Sequence, residues 1–261
     1  MNDHVPLPRA LRTPLLSAAR AMPVVVITGA RQTGKSTLVR DLTTGDRLYL
    51  TLDDLDVLDQ ARSEPDDLVS RARRMTLDEV QRAPDLMLAI KRAVDHRREK
   101  GRYFLTGSAN LLLMRAVSET LAGRASYLTL WPMTRREQLG LGRAGIWDEL
   151  IAANDEGWLD VVASQNVTEE PWAALALRGG YPTPALDLDS HASRSTWFAG
   201  YTKTYLERDL QDISSVSALP DLRRLMRAAC LRIGQLMNQT ELGRDIALSQ
   251  PTVHRYLNLL E

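Results

Sequence analysis

The chain of 261 residues carries 33 basic and 33 acidic side chains, so its formal net charge at pH 7 is zero and gives no overall field favouring nucleic acid or a membrane surface. Its single cysteine, Cys230, excludes an internal disulfide and a cysteine-based metal cluster, and its apolar helical surroundings predict a buried core residue. No segment approaches the run of about eighteen apolar residues that spans a bilayer, and the N-terminus lacks an apolar signal core. We therefore expect a cytoplasmic protein without a membrane partner.

The first half of the chain alternates predicted helices and strands. A helix over 8–20 precedes a strand at 24–27, and a helix over 36–43 follows that strand. The later part of this half contains predicted strands at 47–52, 75–77, 103–106 and 127–130, and predicted helices over 85–99 and 109–121. Such alternation predicts an α/β fold with a mostly parallel sheet and right-handed crossovers. From about residue 134 the strand signals fade, and helices broken by turns are predicted.

The segment after the first strand fills the pattern G-x-x-x-x-G-K-[ST] and predicts a phosphate-binding loop. Glycine permits backbone dihedrals closed to other residues, so successive N–H groups can surround phosphate oxygens, and the following helix directs its positive end towards them. Lys35 offers a charge to the β and γ phosphates, and Ser36 offers a hydroxyl to Mg²⁺. The alternative is an ordinary glycine-rich turn. The predicted nucleotide-binding residues are Gly29, Ala30, Arg31, Gln32, Thr33, Gly34, Lys35, Ser36 and Thr37.

Asp78 and Glu79 supply adjacent carboxylates where the third predicted strand ends. Neighbouring side chains of a strand diverge, so the two carboxylates can act separately. We predict that Asp78 holds Mg²⁺ together with Ser36, and that Glu79 polarises the attacking water. The alternative is a surface acidic pair at a strand end.

Ser108 and Arg124 are two further catalytic candidates. Ser108 follows the fourth predicted strand, at the edge where ligands bind in open α/β sheets, and its hydroxyl is suited to sense the γ-phosphate. It is equally suited to cap the following helix, and the two roles are compatible. Arg124 precedes the fifth strand and could stabilise the transferring phosphoryl group at a subunit boundary, although isolated arginines are usually solvated or salt-bridged.

The last forty residues carry the pattern of a helix-turn-helix, with a short helix over 240–247 and a second one over 251–260. The segment 221–261 has six arginines against four acids, which is a small surplus for a DNA reader and favours a packed winged-helix module acting as a lid. The positions predicted to face inward are Ile246, Val253 and Leu257, and those available to DNA are Gln250, Thr252, His254 and Arg255.

Together these motifs resemble the AAA-type ATPases of bacteria and archaea that join a P-loop core to a C-terminal domain of unknown function. The resemblance implies an ASCE-type P-loop core, ATP and Mg²⁺ as ligands, Asp78 and Glu79 as the acidic motif, Ser108 as sensor, and Arg124 or Arg208 as an arginine finger. Such proteins usually continue into a domain similar to restriction-endonuclease folds, so we expect a truncated form or an unusually short last domain. The matching segments are 29–37, 77–81, 105–108, 121–124, 179–182, 205–209 and the helix-turn-helix.

We therefore expect a P-loop ATPase core over 1–133, a helical lid and linker over 134–212, and an incomplete winged-helix-like module over 213–261. The expected activity is Mg²⁺-dependent ATP hydrolysis, and ATP is favoured over GTP because no Asn-Lys-x-Asp motif occurs. One alternative is a nucleotide-gated DNA-binding regulator that uses the helix-turn-helix, and another is a P-loop kinase acting on a small molecule. Beyond ATP, the partners considered are a second copy of the chain in a homo-oligomer and DNA.

Overall fold

A computed structural model describes residues 6–42, 45–107, 119–142, 145–154, 156–165, 170–206 and 219–260. The chain divides into two compact units, Met1–Trp197 and Phe198–Glu261. The three-part division expected from the sequence stays a prediction. Ser108, Arg208 and most of the helix predicted over 109–121 lie outside the described residues. Within the described part of the chain, no helix is both long enough and apolar enough to cross a bilayer.

A parallel five-stranded sheet forms the centre of the first unit. Its strands are β1 (Val24–Thr28), β2 (Arg47–Thr51), β3 (Arg74–Asp78), β4 (Tyr103–Thr106) and β5 (Ala125–Thr129). Their order across the sheet is β2-β3-β4-β1-β5, and every neighbouring pair runs parallel. The α/β fold with a parallel sheet, predicted from the alternation of strands and helices, is confirmed. β5 starts earlier than predicted because Ala125 already pairs with Val24 of β1.

Helices connect these strands along both faces of the sheet. They are α1 (Arg12–Ala21), α2 (Lys35–Asp41), α3 (Leu55–Ser63), α4 (Pro65–Ser70) and α5 (Leu86–His96), with a 3-10 turn at Val80–Arg82. Local signals fix where some of them begin. The Asp54 carboxylate accepts the backbone N–H groups of Asp56 and Val57 at the start of α3, and Pro65 opens α4.

The apolar core lies on both faces of β1, because successive side chains of a strand point to opposite faces. Val24 and Val26 belong to a buried cluster that contains residues of β3, β4 and α3 to α5. Val25 and Ile27 belong to a second cluster, with residues of α1 and α2. Since β1 is buried along its whole length, the loop that follows it begins from a rigid support.

The remainder of the first unit is helical, as predicted from the fading strand signals. Its helices are α6 (Arg135–Gln138), α7 (Trp147–Ala152), α8 (Gly157–Ala163), α9 (Trp172–Arg178) and α10 (His191–Tyr201), with a π-helical turn at Thr183–Asp187. A second π-helical turn, Thr202–Leu206, belongs to the second unit. α6 begins with a capping box in which Thr134 and Glu137 satisfy each other's backbone N–H groups. α10 continues past Trp197 into the second unit.

Three helices build the described core of the second unit: α11 (Leu219–Cys230), α12 (Gln239–Asp245) and α13 (Gln250–Leu260). The buried side chains between them are Leu222, Leu225, Leu242, Val253 and Tyr256, with Ile246 and Leu257 partly buried against them. The Asn238 side chain caps α12 by accepting two backbone N–H groups. Packing of α12 and α13 around Val253 agrees with the predicted helix-turn-helix.

Cys230 is exposed, so the prediction that it is a buried core residue is wrong. It is the last residue of α11, whose buried side chains Leu222 and Leu225 lie towards the other end of the helix. The apolar neighbours of Cys230 in the sequence, Leu231 and Ile233, are exposed as well. An apolar run is therefore not evidence of burial where a helix ends.

Candidate functional site

The phosphate-binding pattern forms a tight loop between β1 and α2. Gly29 has φ of 140°, and a Cβ atom there would lie 2.3 Å from the carbonyl oxygen of Leu130, so glycine is required. Gly34 has φ of 93° and directly precedes α2, while Gln32 adopts φ of 59°. The loop therefore turns at the positions where the pattern demands glycine, directly beyond the carboxyl end of the central strand.

Lys35 lies inside this loop and is 5% exposed. Its Nζ donates hydrogen bonds to the carbonyl oxygens of Gly29 at 2.9 Å and Ala30 at 2.8 Å. Burial lowers the pKa of Lys35 below its ordinary value, although the charges of Glu79 and Asp78 act in the opposite direction. The ammonium group thus donates to two neutral carbonyl oxygens, and a negatively charged acceptor would stabilise its charged form more strongly.

Asp78 is held at the carboxyl ends of three neighbouring strands. It is 3% exposed, and its Oδ2 accepts a hydrogen bond from the Tyr49 hydroxyl of β2 at 2.6 Å. Its Oδ1 accepts a bond from the Thr106 hydroxyl of β4. Burial, and next the bond to Asp78, raises the pKa of Tyr49 to about 12, so this hydroxyl remains a donor. Each carboxylate oxygen can still accept a further bond or a metal ion.

Glu79 follows Asp78 with φ of 61°, and this left-handed backbone turns its side chain away from the strand direction. Its backbone N–H donates to the Thr106 hydroxyl at 3.4 Å, and its Oε2 accepts a bond from the Gln81 side-chain amide. The Gln81 Oε1 atom is buried and has no hydrogen-bond partner among the described residues. The structure therefore brings Lys35, Asp78 and Glu79 to one edge of the sheet, with the two carboxylates held by different groups.

Arg124 lies at the opposite edge, immediately before β5. Its guanidinium donates to Asp95, with Nε–Oδ1 and Nη2–Oδ2 distances of 2.5 and 2.9 Å. These hydrogen bonds lower the pKa of the Asp95 carboxyl. Because a five-residue strand spans about 16 Å, Arg124 does not reach the phosphate loop of its own chain. Its role as an arginine finger, which requires a neighbouring subunit, stays a prediction, as do the roles of Ser108 and Arg208 outside the described residues.

A buried ion pair behind the loop was missed by sequence reasoning. The Arg9 Nε donates to Glu137 Oε1 at 3.0 Å, and its Nη1 and Nη2 donate to the carbonyl oxygens of Thr33 at 2.8 Å and Trp131 at 2.7 Å. The same carboxylate accepts the backbone N–H groups of Ala10 and Thr134, at 2.7 and 2.8 Å. Arg9 thus ties the segment before α1 to the phosphate loop and to the start of α6.

The hydrogen bonds and the charge around Glu137 lower the pKa of its carboxyl group. Burial acts to raise the pKa, but the backbone hydrogen bonds from Thr134 and Ala10 and the charge of Arg9 outweigh it, and the pKa is lowered. The carboxylate is therefore ionised at neutral pH although Glu137 is only 3% exposed. The one signal in the sequence was the Thr-x-x-Glu capping pattern at the start of α6, which does not point to Arg9.

A cavity of about 460 Å³ lies beside the phosphate loop, a size typical of small-molecule sites. Met133 of the cavity wall is in close contact with Gly180: a Cβ on Gly180 would lie 2.5 Å from the Met133 carbonyl oxygen, and the Gly180 carbonyl accepts the Met133 N–H at 2.6 Å. The Gly-Gly-Tyr-Pro segment therefore makes a close backbone contact just before the π-helical turn, whose residues Leu186 and Asp187 also line the cavity. Its walls include Pro8, Arg12, Gly34, Thr37, Met133 and Pro182.

Two protein-family models match the chain. Residues 21–139 match the AAA domain family, and residues 169–261 match the Domain of unknown function (DUF8612). The first match contains the sheet, the phosphate loop, Asp78 and Glu79. The second contains the Gly-Gly-Tyr-Pro segment and the helices of the second unit. This pairing agrees with the resemblance stated from the sequence motifs.

The chain is also similar to two mycobacterial proteins and to an archaeal structure. It is 32% identical over 248 residues to the uncharacterized proteins Rv2008c of Mycobacterium tuberculosis and Mb2031c of Mycobacterium bovis, a match that covers 94% of this chain and 49% of each relative. The chain thus spans about half the length of these curated relatives. The Walker-type ATPase PABY2304 of Pyrococcus abyssi shares its fold with a TM-score of 0.55, at 14% identity over 97% of this chain and 91% of that one. Residues 21–139 are thus similar to the AAA domain family, and residues 169–261 to the domain of unknown function that follows it in the chain.

Proposed function

We propose that this chain binds ATP with Mg²⁺ and hydrolyses it at the carboxyl edge of its sheet. One observation carries the proposal: Lys35 is buried in the loop that follows β1, and Asp78 and Glu79 stand where β3 of the same parallel sheet ends. Phosphoryl transfer to water needs a cation that binds the phosphate oxygens, a carboxylate that holds the metal ion and a second carboxylate that orients the water.

Lys35 and the loop backbone would bind the β and γ phosphates of ATP. In the structure the Lys35 Nζ donates to two loop carbonyls, Gly29 and Ala30, so a triphosphate replaces neutral acceptors by charged ones. Charge-assisted bonds are roughly twice as strong as neutral ones. A bound anion would raise the lowered pKa of Lys35, because it favours the charged form that burial disfavours.

Ser36 and Asp78 would hold Mg²⁺, since a hydroxyl and a carboxylate are hard oxygen donors and Mg²⁺ keeps its remaining ligands from phosphate and water. The ion would neutralise charge on the β and γ oxygens when bound. The Tyr49 and Thr106 hydroxyls fix the Asp78 carboxylate in one orientation and leave acceptor capacity on each of its oxygens. Glu79 would orient the attacking water, because its left-handed backbone directs it apart from Asp78.

The cavity beside the loop would hold the base and sugar of the nucleotide. It adjoins Gly34 and Thr37 of the loop, and prolines and aliphatic residues form much of the rest of its lining. A flat aromatic base suits such an apolar cleft, with a few polar groups fixing its orientation. The Arg12–Asp41 ion pair at its rim supplies such groups.

Nucleotide binding tests this proposal directly. Lys35→Ala should abolish the binding of a fluorescent ATP analogue, because the loop loses the ammonium group that would bind the β and γ phosphates. Lys91→Ala, on α5, is the matched control and should bind as the wild type does. Equal affinity in the Lys35→Ala and Lys91→Ala proteins would contradict the assignment of the loop.

Turnover separates hydrolysis from the kinase alternative. An ATPase releases phosphate in buffer that contains no acceptor, whereas a kinase requires one.

Turnover measured against protein concentration also tests Arg124 as a finger supplied by a second copy: specific activity should rise with concentration in the wild type and stay low in Arg124→Ala. A flat wild-type profile would remove that role and the homo-oligomer that it implies.

A nucleotide-gated DNA-binding regulator is the second candidate, and the second unit supports it by leaving Gln250, His254 and Arg255 of α13 exposed while Val253 and Tyr256 are buried. A recognition helix needs exposed residues on one face to contact DNA and buried residues on the other face to pack against its own domain. Arg255→Ala should then weaken binding of a DNA duplex, measured by gel shift with and without ATP. Absence of DNA binding by the wild type at low salt would remove this candidate.

A further inference from the structure

Basic residues converge at the amino edge of the sheet, opposite the phosphate loop. Three neighbouring strands, β2, β3 and β4, begin there: Arg47 and Arg74, the first residues of β2 and β3, pair in register, and Tyr103, the first residue of β4, pairs with Met75. Each strand start is therefore next to the basic residues that precede its neighbour. We define the amino-edge cluster as Arg47, Arg73, Arg74, Arg97, Arg98, Lys100 and Arg102.

The cluster has a large local surplus of positive charge. Only Asp46 and Glu99 stand among these seven cations in the sequence segments that form the edge, a surplus of five in a chain whose total is zero. Glu99 alone serves three of them: Arg73 at 2.8 Å, Arg97 at 3.3 Å and Arg74 at 3.9 Å. One carboxylate cannot neutralise three guanidinium groups, so the edge keeps a positive potential.

Two of the arginines are held rigidly beneath the surface. The Arg47 guanidinium lies 3.8 Å from the centre of the Phe104 ring and donates to the Met75 carbonyl at 2.8 Å. Arg102 donates to the Ala93 carbonyl at 2.6 Å. Burial, and next the charge of Arg74, lowers the pKa of Arg47 to about 10. These fixed charges lose little entropy when they meet an anion.

The other cations are available to solvent. The side chains of Arg73 and Arg97 are 60% exposed and that of Arg74 is 45% exposed. Arg98 and Lys100 are exposed as well. Like charges that repel each other weaken a fold unless an anion compensates them. Six of the seven cations are arginine, whose planar fork matches the oxygens of a phosphate group.

We infer that the amino-edge cluster binds the phosphate backbone of duplex nucleic acid without reading its sequence. A linear polyanion offers several phosphates within the width of three strands, which are spaced about 4.8 Å apart. The surface lies about one strand length, about 16 Å, from the proposed ATP site, so both ligands can bind together. The inference does not depend on ATP hydrolysis, and it is distinct from recognition by α13.

Fluorescence anisotropy of a labelled 20-base-pair DNA duplex, titrated with the full chain at several salt concentrations, tests it. The R73Q/R74Q/R97Q protein should lose affinity, and the slope of log K against log salt should become shallower by about 2.7, since each phosphate contact contributes about 0.9. The matched control R62Q/R82Q/R92Q removes the same charge from another part of the first unit and should keep the wild-type slope.

A second variant is needed because the triple substitution removes all three ion-pair partners of Glu99 and could therefore unfold the protein. R98Q/K100Q leaves those pairs in place and should make the slope shallower by about 1.8. Both variants should bind ATP as the wild type does, which separates this surface from the nucleotide site. The inference fails if the cluster variants match the control, if the wild type binds no duplex at low salt, or if polyglutamate binds as tightly as DNA.

Discussion

The Arg9–Glu137 pair allows a quantitative test of how the phosphate loop is supported. Both side chains are almost fully buried, and together they form three contacts from Arg9 and two further backbone contacts to the carboxylate. Arg9→Met leaves the carboxylate without its counter-charge, and Glu137→Met leaves the guanidinium alone. Removal of one partner of a buried pair costs about 3–5 kcal/mol, so each single variant should lose stability of this size.

The double variant distinguishes the ion pair from the rest of the network. Replacing both partners by methionine removes both charges, which by itself is often close to neutral. Here, however, the N–H groups of Ala10 and Thr134 lose their acceptor, at about 1–3 kcal/mol each. The double variant should therefore lose about 2–6 kcal/mol relative to the wild type, less than the roughly 6–10 kcal/mol that the two single losses add up to.

Urea unfolding followed by tryptophan fluorescence measures these values. All five tryptophans lie within Met1–Trp197, so the signal reports the first unit. Because Arg9 also holds the Thr33 carbonyl, Arg9→Met should weaken ATP binding as well. Single losses below about 1 kcal/mol, the size of an exposed ion pair, would refute the buried network. Strict additivity in the double variant would refute the coupling.

Three further outcomes are expected. Gly29→Ala should lower ATP affinity at least about tenfold by calorimetry, because its Cβ would meet the Leu130 carbonyl oxygen at 2.3 Å; unchanged affinity would contradict the loop geometry. Tyr49→Phe frees the Asp78 carboxylate, so half-maximal turnover should need more Mg²⁺; an unchanged requirement would remove Asp78 as ligand. Because the folded-state pKa of Glu137 lies below its ordinary 4.5, the stability it contributes is present above that value and lost as pH falls through the folded pKa; Glu137→Gln should flatten acid unfolding below about pH 5, and a parallel loss in both proteins would contradict this.

The sheet and the phosphate loop were predictable from the sequence because their signals are local. An apolar strand such as 24–27 must be buried, and the glycine positions after it follow from the backbone conformations that a phosphate loop needs. Asp78 and Glu79 were located for the same reason, since residues at the carboxyl ends of parallel strands meet at one edge. Local patterns also placed α12 and α13.

The supporting groups could not be predicted, because they arise from contacts between distant parts of the chain. Arg9 and Glu137 lie 128 positions apart, and no local pattern in either segment indicates that the two side chains pair. The Tyr49 hydroxyl meets Asp78 only through the register of β2 and β3. Gly180 was identified only as part of the matching segment 179–182, and its contact with Met133 depends on the folded path of the first unit. Cys230 was misjudged because an apolar sequence says nothing about where its helix ends.

The most direct test of the central claim is release of γ-phosphate from ATP by the wild type and by Glu79→Gln, with Mg²⁺ and no acceptor present. Both proteins should bind ATP equally, and Glu79→Gln should release phosphate about 10²–10⁴-fold more slowly, the usual contribution of a general base. Glu156→Gln, at an exposed position, is the control and should retain wild-type turnover. Turnover by Glu79→Gln at the wild-type rate, or no phosphate release by the wild type, would contradict the account.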